Sequence, residues 1–332
     1  MVKFLIIRFS SIGDIVLTTP VIRCLKEQVD ESEIHFLTKK QFSSVLENNP
    51  NIDHLWLYDN NLNQIINDLI DVQFDYVIDL HHNLRTFYVK NRLRLLSFSF
   101  DKLNLKKWLL VNFKINLLPE IHIVDRYMAT TKLFGINNDG KGLDYFLSDN
   151  DKEFPAEIRS NIPEKFIALS IGANHKTKKV PPSKLAEICD KLELPVVILG
   201  GKTDVAEASE IKKLCSKNHI LDLTDKLSLN RSASIILLSE LVITHDTGLM
   251  HIAAAFKKKI ISIWGNTIPE FGMYPYLPGE RSEIFEVKGL RCRPCSKIGF
   301  NKCPKGHFNC MMQQDTEKIA SLANTLCKEY IN

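Results

Sequence analysis

Two regimes of apolar patterning alternate along the chain. Short, nearly continuous apolar runs occupy residues 2–8, 34–38, 54–58 and 74–80, and longer stretches with apolar residues three and four positions apart lie between them, as at 15–26 and 62–71. A continuous run of strand length suits a strand covered on both faces, whereas the longer periodicity is that of a helix with one buried side. The pattern predicts βαβ units built around a parallel sheet. After a polar, charged stretch at 148–164 the alternation restarts, with strands at 166–171, 195–199, 219–221, 241–244 and 260–264 and helices at 183–192, 204–216, 229–238 and 248–257. Two doubly wound α/β domains in tandem are expected. Ligands of such sheets sit beyond the carboxyl ends of the strands, so the loops leaving those ends and a cleft between domains are where function is to be sought.

Composition narrows the class. The length of 332 residues suits two domains, and 45% hydrophobic against 25% charged residues excludes a mainly disordered chain. Only a four-residue apolar run precedes Arg8, and no run approaches the ~20 residues of a membrane span, so a soluble, intracellular protein is expected. Of the eight cysteines, Cys24, Cys189, Cys215 and Cys327 are scattered, which points to reduced thiols. The net charge of +4 is too small to mark a nucleic-acid binder, but it averages over strong asymmetry. Residues 85–114 hold eight basic side chains and one acid, interleaved with Phe87, Tyr88, Phe98, Phe100, Trp108 and Phe113; residues 288–307 hold six basic side chains and no acid. A basic, aromatic segment suits an anionic membrane surface or a phosphorylated lipid, and it would also suit single-stranded nucleic acid. It equally describes an apolar core with a solvated cationic edge.

Several strand-end loops carry candidate chemistry. The first strand ends in Arg8-Phe9-Ser10-Ser11-Ile12-Gly13-Asp14 and runs into a helix, where small residues let backbone N–H groups approach a ligand. Asp14 at that junction is either a functional carboxylate or a first-turn acid complementing the helix dipole. In the second half, His245-Asp246-Thr247-Gly248-Leu249-Met250-His251 opens an Ala-rich helix, and Thr247 with Gly248 offers a hydroxyl and amides to a diphosphate. An ordinary capped helix with His251 in its packing is the plainer alternative. Gly172 begins a turn followed by Lys176, Lys178 and Lys179, a set that suits an anion or a solvated loop. Asp222, after the short strand, lies where an acid could take a ribose hydroxyl. His81 and His82 lack ligand partners at metal spacing, whereas neighbouring Asn83 and Arg85 suit a polyhydroxyl or phosphorylated acceptor. Cys292, Cys295, Cys303 and Cys310 begin with a zinc-type pair but continue with non-standard gaps, leaving a structural zinc and packed thiols both open.

Taken jointly, the segments RFSSIGDIVLTTP (8–20), FDYVIDLHHNLRT (74–86), LSIGANHKTKKVPPSKL (169–185), THDTGLMHIAAAF (244–256) and WGNTIPEFG (264–272) resemble glycosyltransferase family 9, the heptosyltransferases that build the lipopolysaccharide inner core. The block CRPCSKIGFNKCPKGHFNCM (292–311) is similar to the branch typified by heptosyltransferase II. Val180 stands where many members have Trp, and Asn266 where Pro or Ser is common. The resemblance implies a GT-B architecture: an acceptor-binding Rossmann-like domain at 1–155, a nucleotide-sugar domain at 160–312, and a last helix within 313–332 (about 316–330) packing back on the first domain. It implies Asp14 as general base, and Lys178 as the diphosphate-binding lysine. Gly13, Gly172, Asp222, Asp246, Thr247, Gly248, Leu249 and His251 would serve the donor, with Asp222 a shortened form of the family's ribose-contacting Glu. Ser10, Ser11, Asn83 and Arg85 would serve the acceptor. No cofactor and no catalytic metal are implied, since Asp149-Asn150-Asp151 lies in the linker.

The expected reaction is inverting heptosyl transfer from ADP-heptose to a phosphorylated, lipid-linked core. A monomer would carry it out as a cytoplasmic protein, peripheral on the inner face of the cytoplasmic membrane, with no nucleic-acid partner. A family 9 enzyme using another nucleotide-sugar, and a non-catalytic nucleotide-sugar or nucleic-acid binder, are the alternatives.

Overall fold

Every strand pairing is parallel, as the continuous apolar runs require. The computed structural model describes residues 1–328 apart from Asn60 and Asn218. The first sheet contains β1 (Val2–Ile7), β2 (Ser32–Lys39), β3 (His54–Tyr58), β4 (Tyr76–Asp79) and β5 (Leu96–Ser99) in the order β3-β2-β1-β4-β5. The second contains β6 (Ile167–Ser170), β7 (Val196–Leu199), β8 (Ile220–Asp222), β9 (Leu241–His245), β10 (Lys259–Trp264) and β11 (Glu283–Glu286) in the order β11-β10-β9-β6-β7-β8. The architecture is the α/β GT-B type.

The central strands are dry on both faces. Phe4, Leu5, Ile6 and Ile7 of β1 are fully buried, as are Leu241, Val242 and Ile243 of β9. At roughly 1.5–3 kcal/mol for each such side chain, these strands anchor their sheets and hold the loops at their carboxyl ends in place. The outer strands β5 and β11 escaped the sequence pattern. Leu96-Ser97-Phe98-Ser99 and Glu283-Ile284-Phe285-Glu286 are only partly buried, so neither makes a continuous apolar run. The helix expected at 15–26 divides into Ile12–Val16 and Thr19–Gln28, with Pro20 in the first turn of the second piece.

Two compact units result, and their boundaries differ from the expected 1–155 and 160–312. The first comprises Met1–Leu103 and Ile121–Phe146; the second takes Asn104–Glu120 and everything from Leu147 onward. The helix Asn104–Phe113 joins the second unit because Leu110 is buried with Ile268 and Phe271. The last helix, Thr316–Lys328, likewise differs from the expectation that it would return to the first domain. Ile319, Ala320, Ala323 and Leu326 are buried in the second unit's core, and Asn324 Nδ2 donates to Lys191 O at 2.9 Å. The remainder of the expected 316–330 helix lies outside the described residues. Asp149–Asp151 forms a short capped turn, with Ser148 Oγ donating to Asp151 Oδ2 at 2.7 Å.

Candidate functional site

In the first unit the carboxyl end of β1 delivers Asp14 to a tightly held turn. Arg8, nearly buried, places Nη2 2.7 Å from Asp14 Oδ1. The same guanidinium donates through Nε to Ser10 O at 2.7 Å, and through Nη1 to Leu80 O and, at 2.9 Å, to Tyr127 Oη. Asp14 Oδ2 accepts from Ser11 Oγ at 2.8 Å and from Ser11 N at 3.2 Å. These bonds fix the carboxylate's orientation while 22% of its side-chain surface stays accessible. Ser10 and Ser11 are also partly exposed, whereas Gly13 is buried within the helical turn Ile12–Val16. Sequence reasoning noted Arg8 only as part of the motif; an arginine closing an otherwise apolar buried strand was the available signal, because such a cation requires partners.

At the end of β4, Asp79 is wholly buried and pairs with Lys90 Nζ at 2.9 Å. Burial would raise its pKa, but Lys90 and the His82 amide hold it below the usual carboxylate value. His81, next in the chain, has its pKa lowered to about 4, by burial first and then by Arg8 and Lys102. It is therefore a neutral imidazole at pH 7, with its ring against Phe9. Asn83 has a structural task that the sequence reading did not assign. Its Oδ1 accepts from Arg85 N at 2.9 Å and Thr86 N at 3.0 Å, capping the helix Leu84–Leu93. Arg85, in the first turn of that helix, is exposed.

In the second unit the carboxyl ends of β6, β7, β9 and β10 converge on two ion-pair systems, and the lysine run divides between them. Lys178 Nζ lies 2.6 Å from Asp246 Oδ2, which also accepts from Thr267 Oγ1 at 3.0 Å. Lys179 turns inward, donating to Asp204 Oδ1 at 2.5 Å and Glu207 Oε2 at 2.7 Å, while Lys176 is exposed. Gly172 belongs to this buried system. A Cβ there would come within 2.9 Å of Asp204 Oδ2, so the glycine makes room for the carboxylate that binds Lys179. Asp222, at the end of β8, accepts from Thr224 N and Oγ1 at 2.9 and 2.6 Å, so one carboxylate oxygen is engaged in a local turn.

Asp246, Thr247, Gly248 and Leu249 are all partly exposed at the start of the helix Gly248–Ala255. Thr247 makes no side-chain cap; its hydroxyl lies 3.5 Å from Thr244 Oγ1, leaving the first-turn amides to another acceptor. His251 is buried beneath this turn, which suits organising the loop from below and not touching a sugar. His245 is buried too, accepts from Val180 N at 3.1 Å, and has its pKa lowered to about 4 by burial and then by Lys179.

The cysteine block buttresses the lysine loop. Phe300 N donates to Thr177 Oγ1 at 2.8 Å, and Thr177 N donates to Phe300 O at 3.1 Å. Structural zinc and packed thiols are both open in the sequence for Cys292, Cys295, Cys303 and Cys310; as placed, no three of these sulfurs lie within 4.8 Å of one another. Among the described residues, only Glu33, His35 and His54 bring three potential ligand atoms within 4.8 Å of one another. Cys310 is anchored in the core, and Cys295 Sγ donates to Cys292 O at 3.0 Å. Burial pushes the Cys295 thiol up to about 11, with Cys292 and Cys303 adding to the rise. The Glu33 group is itself a hydrogen-bond network: Trp56 Nε1 donates to His35 Nδ1 at 2.9 Å, so the proton sits on the Nε2 that faces Glu33. A metal-binding histidine needs the opposite arrangement.

Comparison with known proteins gives this geometry a context. A family model described as Glycosyltransferase family 9 (heptosyltransferase) matches residues 63–302. The chain is 27% identical over 290 residues to Lipopolysaccharide heptosyltransferase 1 of Campylobacter coli, covering 80% of this chain and 84% of that protein. A solved glycosyl transferase family 9 structure from Veillonella parvula DSM 2008 is similar with a TM-score of 0.79 at 22% identity, over 98% of this chain and 97% of that one. The ADP-heptose lps heptosyltransferase II of E. coli is similar with a TM-score of 0.76 at 17% identity, over 99% of this chain and the whole of that one.

Proposed function

Because the chain belongs to glycosyltransferase family 9, the heptosyltransferases, we propose that it transfers heptose from ADP-heptose to a phosphorylated, lipid A-linked core, inverting the anomeric centre. The observation that carries this reading is Asp14, a partly exposed carboxylate clamped by Arg8 and Ser11 at the carboxyl end of a central strand. A base in that setting has a fixed direction for receiving a proton and little freedom to lose on substrate binding. The acceptor hydroxyl attacks the anomeric carbon as Asp14 takes its proton. The bond from that carbon to the diphosphate oxygen breaks, and ADP leaves with the electron pair. Attack from the face opposite the leaving group inverts the configuration without a covalent enzyme intermediate.

The charge developing on ADP is met by Lys178 and by the first-turn amides at Thr247 and Gly248, donors fixed in place before reaction. These groups supply the neutralisation without a catalytic metal. Asp246 holds Lys178 until the diphosphate arrives, and Asp222 offers its second oxygen to the ribose. Names of relatives and structural neighbours, lipopolysaccharide and ADP-heptose among them, support the donor and acceptor classes. The protein works as a monomer at the inner face of the cytoplasmic membrane, where such an acceptor is displayed; no described helix is long and apolar enough to cross a membrane.

The test is Asp14→Asn. Turnover with ADP-heptose and a truncated lipid A-core acceptor is expected to fall about 100-fold or more, the scale of general-base catalysis, with ADP affinity retained. Unchanged turnover refutes the base assignment, and transfer from another nucleotide-sugar in a mass-spectrometric donor panel, with none from ADP-heptose, refutes the donor.

A further inference from the structure

The end of the first basic segment, from Asn104 onward, meets the second basic segment in one surface of the second unit. Lys114 Nζ donates to Pro294 O at 2.7 Å, across 180 positions, and Lys297 Nζ reaches Asn104 Oδ1 at 3.5 Å, across 193. The helix Asn104–Phe113 is thereby laid beside the cysteine block. It turns Leu110 inward onto Ile268 and Phe271, yet Leu105 and Trp108 on its other side are 70% and 49% exposed, and Phe113, 60% exposed, sets its ring 5.2 Å from that of Trp108. Ile115, Leu117 and Ile298 on the same two segments are exposed as well, together with Lys106, Lys302 and Lys305. Residues 104–119 and 288–307 contain no acid, and Glu286 nearby is engaged by Arg293 at 2.8 Å.

A helix with apolar residues on both sides, one of them in water, needs a second apolar phase. We propose that this joined helix-and-loop surface docks on an anionic bilayer, its aliphatic and aromatic side chains entering the interface and its lysines meeting lipid phosphates. This deepens the reading of the protein as a peripheral enzyme and rests on it for the acceptor. The charge pattern selects the occupant. A second copy packed about a twofold axis would set the same acid-free lysine cluster against itself. A nucleic-acid strand would find aliphatic Leu105, Ile115 and Ile298 where stacking needs rings. An anionic bilayer satisfies both halves of the surface. The same helix packs on Ile268 and Phe271, next to Thr267, which holds Asp246, so docking here would bring the lysine-bearing edge of the second sheet close to the lipid surface.

Flotation with vesicles of phosphatidylglycerol and phosphatidylethanolamine tests the proposal, with phosphatidylcholine vesicles as the neutral control. The full chain is expected to float with the anionic vesicles only, to be released by salt, and to show a blue-shifted tryptophan emission that Trp108→Phe abolishes. Lys106→Gln/Lys302→Gln/Lys305→Gln is expected to weaken binding about 100-fold, at roughly fivefold for each lysine near the surface. Leu105→Ser/Phe113→Ser, both at exposed positions, should remove the emission shift. Wild-type affinity in both variants overturns the proposal, as does a self-associating protein whose dimer Leu105→Ser/Phe113→Ser dissolves. Heptosyl transfer to a deacylated, soluble acceptor is unaffected by these variants if the surface serves the membrane; its loss in them also overturns the proposal. Absence of that transfer in the wild type, with vesicle binding intact, would instead count against the heptosyl reading alone.

Discussion

Lys178→Met separates the two partners that compete for one ammonium group. Without ligand, Lys178 Nζ sits 2.6 Å from Asp246 Oδ2, with side chains 17% and 11% exposed. A partly exposed pair of this kind is worth about 1 kcal/mol net. A charge-assisted hydrogen bond from the same lysine to a diphosphate is worth about 1.5–3 kcal/mol. Substituting the lysine removes that bond and also leaves the Asp246 carboxylate facing the incoming anion. Two unit charges about 6 Å apart at an effective dielectric of about 20 repel by roughly 3 kcal/mol before salt screening. Allowing for screening, the combined loss is about 3 kcal/mol, or about 100-fold in ADP affinity. Asp246→Asn alone should leave ADP binding unchanged or tighten it by up to about fivefold, because the competing carboxylate is gone. The double variant should recover to about tenfold weaker than wild type, the value of the hydrogen bond alone. Isothermal titration with ADP measures all four corners, and thermal melting checks that each variant is folded. Two results refute the reasoning: Lys178→Met binding ADP within about twofold of wild type, or Asp246→Asn weakening ADP as much as Lys178→Met does.

Other substitutions test the remaining assignments. Gly172→Ala forces a Cβ to within 2.9 Å of Asp204 Oδ2, in a system already fixed by Lys179 and the Gly201 amide. Overpacking of this kind costs about 1–3 kcal/mol, and calorimetry should record a Tm lowered by several degrees; weakened ADP binding at an unchanged Tm would instead make Gly172 a donor contact. His245, neutral in the fold with a pKa of about 4, binds a proton more readily when unfolded, near the ordinary value of 6.5. The unfolded state therefore takes up more protons between those values. The stability from keeping His245 neutral is complete above about pH 6.5 and falls as pH drops towards 4, by up to about 3 kcal/mol. Urea unfolding at pH 7.5 and pH 5 measures this slope, which His245→Gln should reduce while leaving the share of His81, lowered to about 4 by the same burial; an identical slope in that variant excludes His245 as a source.

The sequence determined the parts of this protein that follow from local pattern. β1, β4, β6, β7, β9 and β10 are legible because a strand covered on both faces is largely apolar along its length, and the loops at their ends carry the small and charged residues of both candidate sites; β3, a partly exposed edge strand, is legible from Leu55-Trp56-Leu57 alone. The helix Leu229–Leu238 matches its expected bounds, its start fixed by the neighbouring Ser228, whose Oγ accepts from Arg231 N at 3.2 Å. What only the tertiary structure decided are the choices among equivalent side chains. Lys178 and Lys179 are adjacent and chemically alike, yet one meets Asp246 at an accessible strand end and the other is buried against Asp204 and Glu207. Which one is available depends on carboxylates 25 to 68 positions away. Gly172 reads as a ligand-facing turn until Asp204 is seen filling the space beside it, and Asn83 reads as an acceptor contact until its oxygen is found on two amides of its own helix. The last helix has the amphipathic pattern of any docking helix; the pattern sets how much apolar surface it must bury but not against which unit, and the core around Cys189 and Ile261 takes it. Burial demands are written residue by residue, whereas partners are chosen between residues far apart in the chain, because long-range contacts are settled by which surfaces the fold brings together.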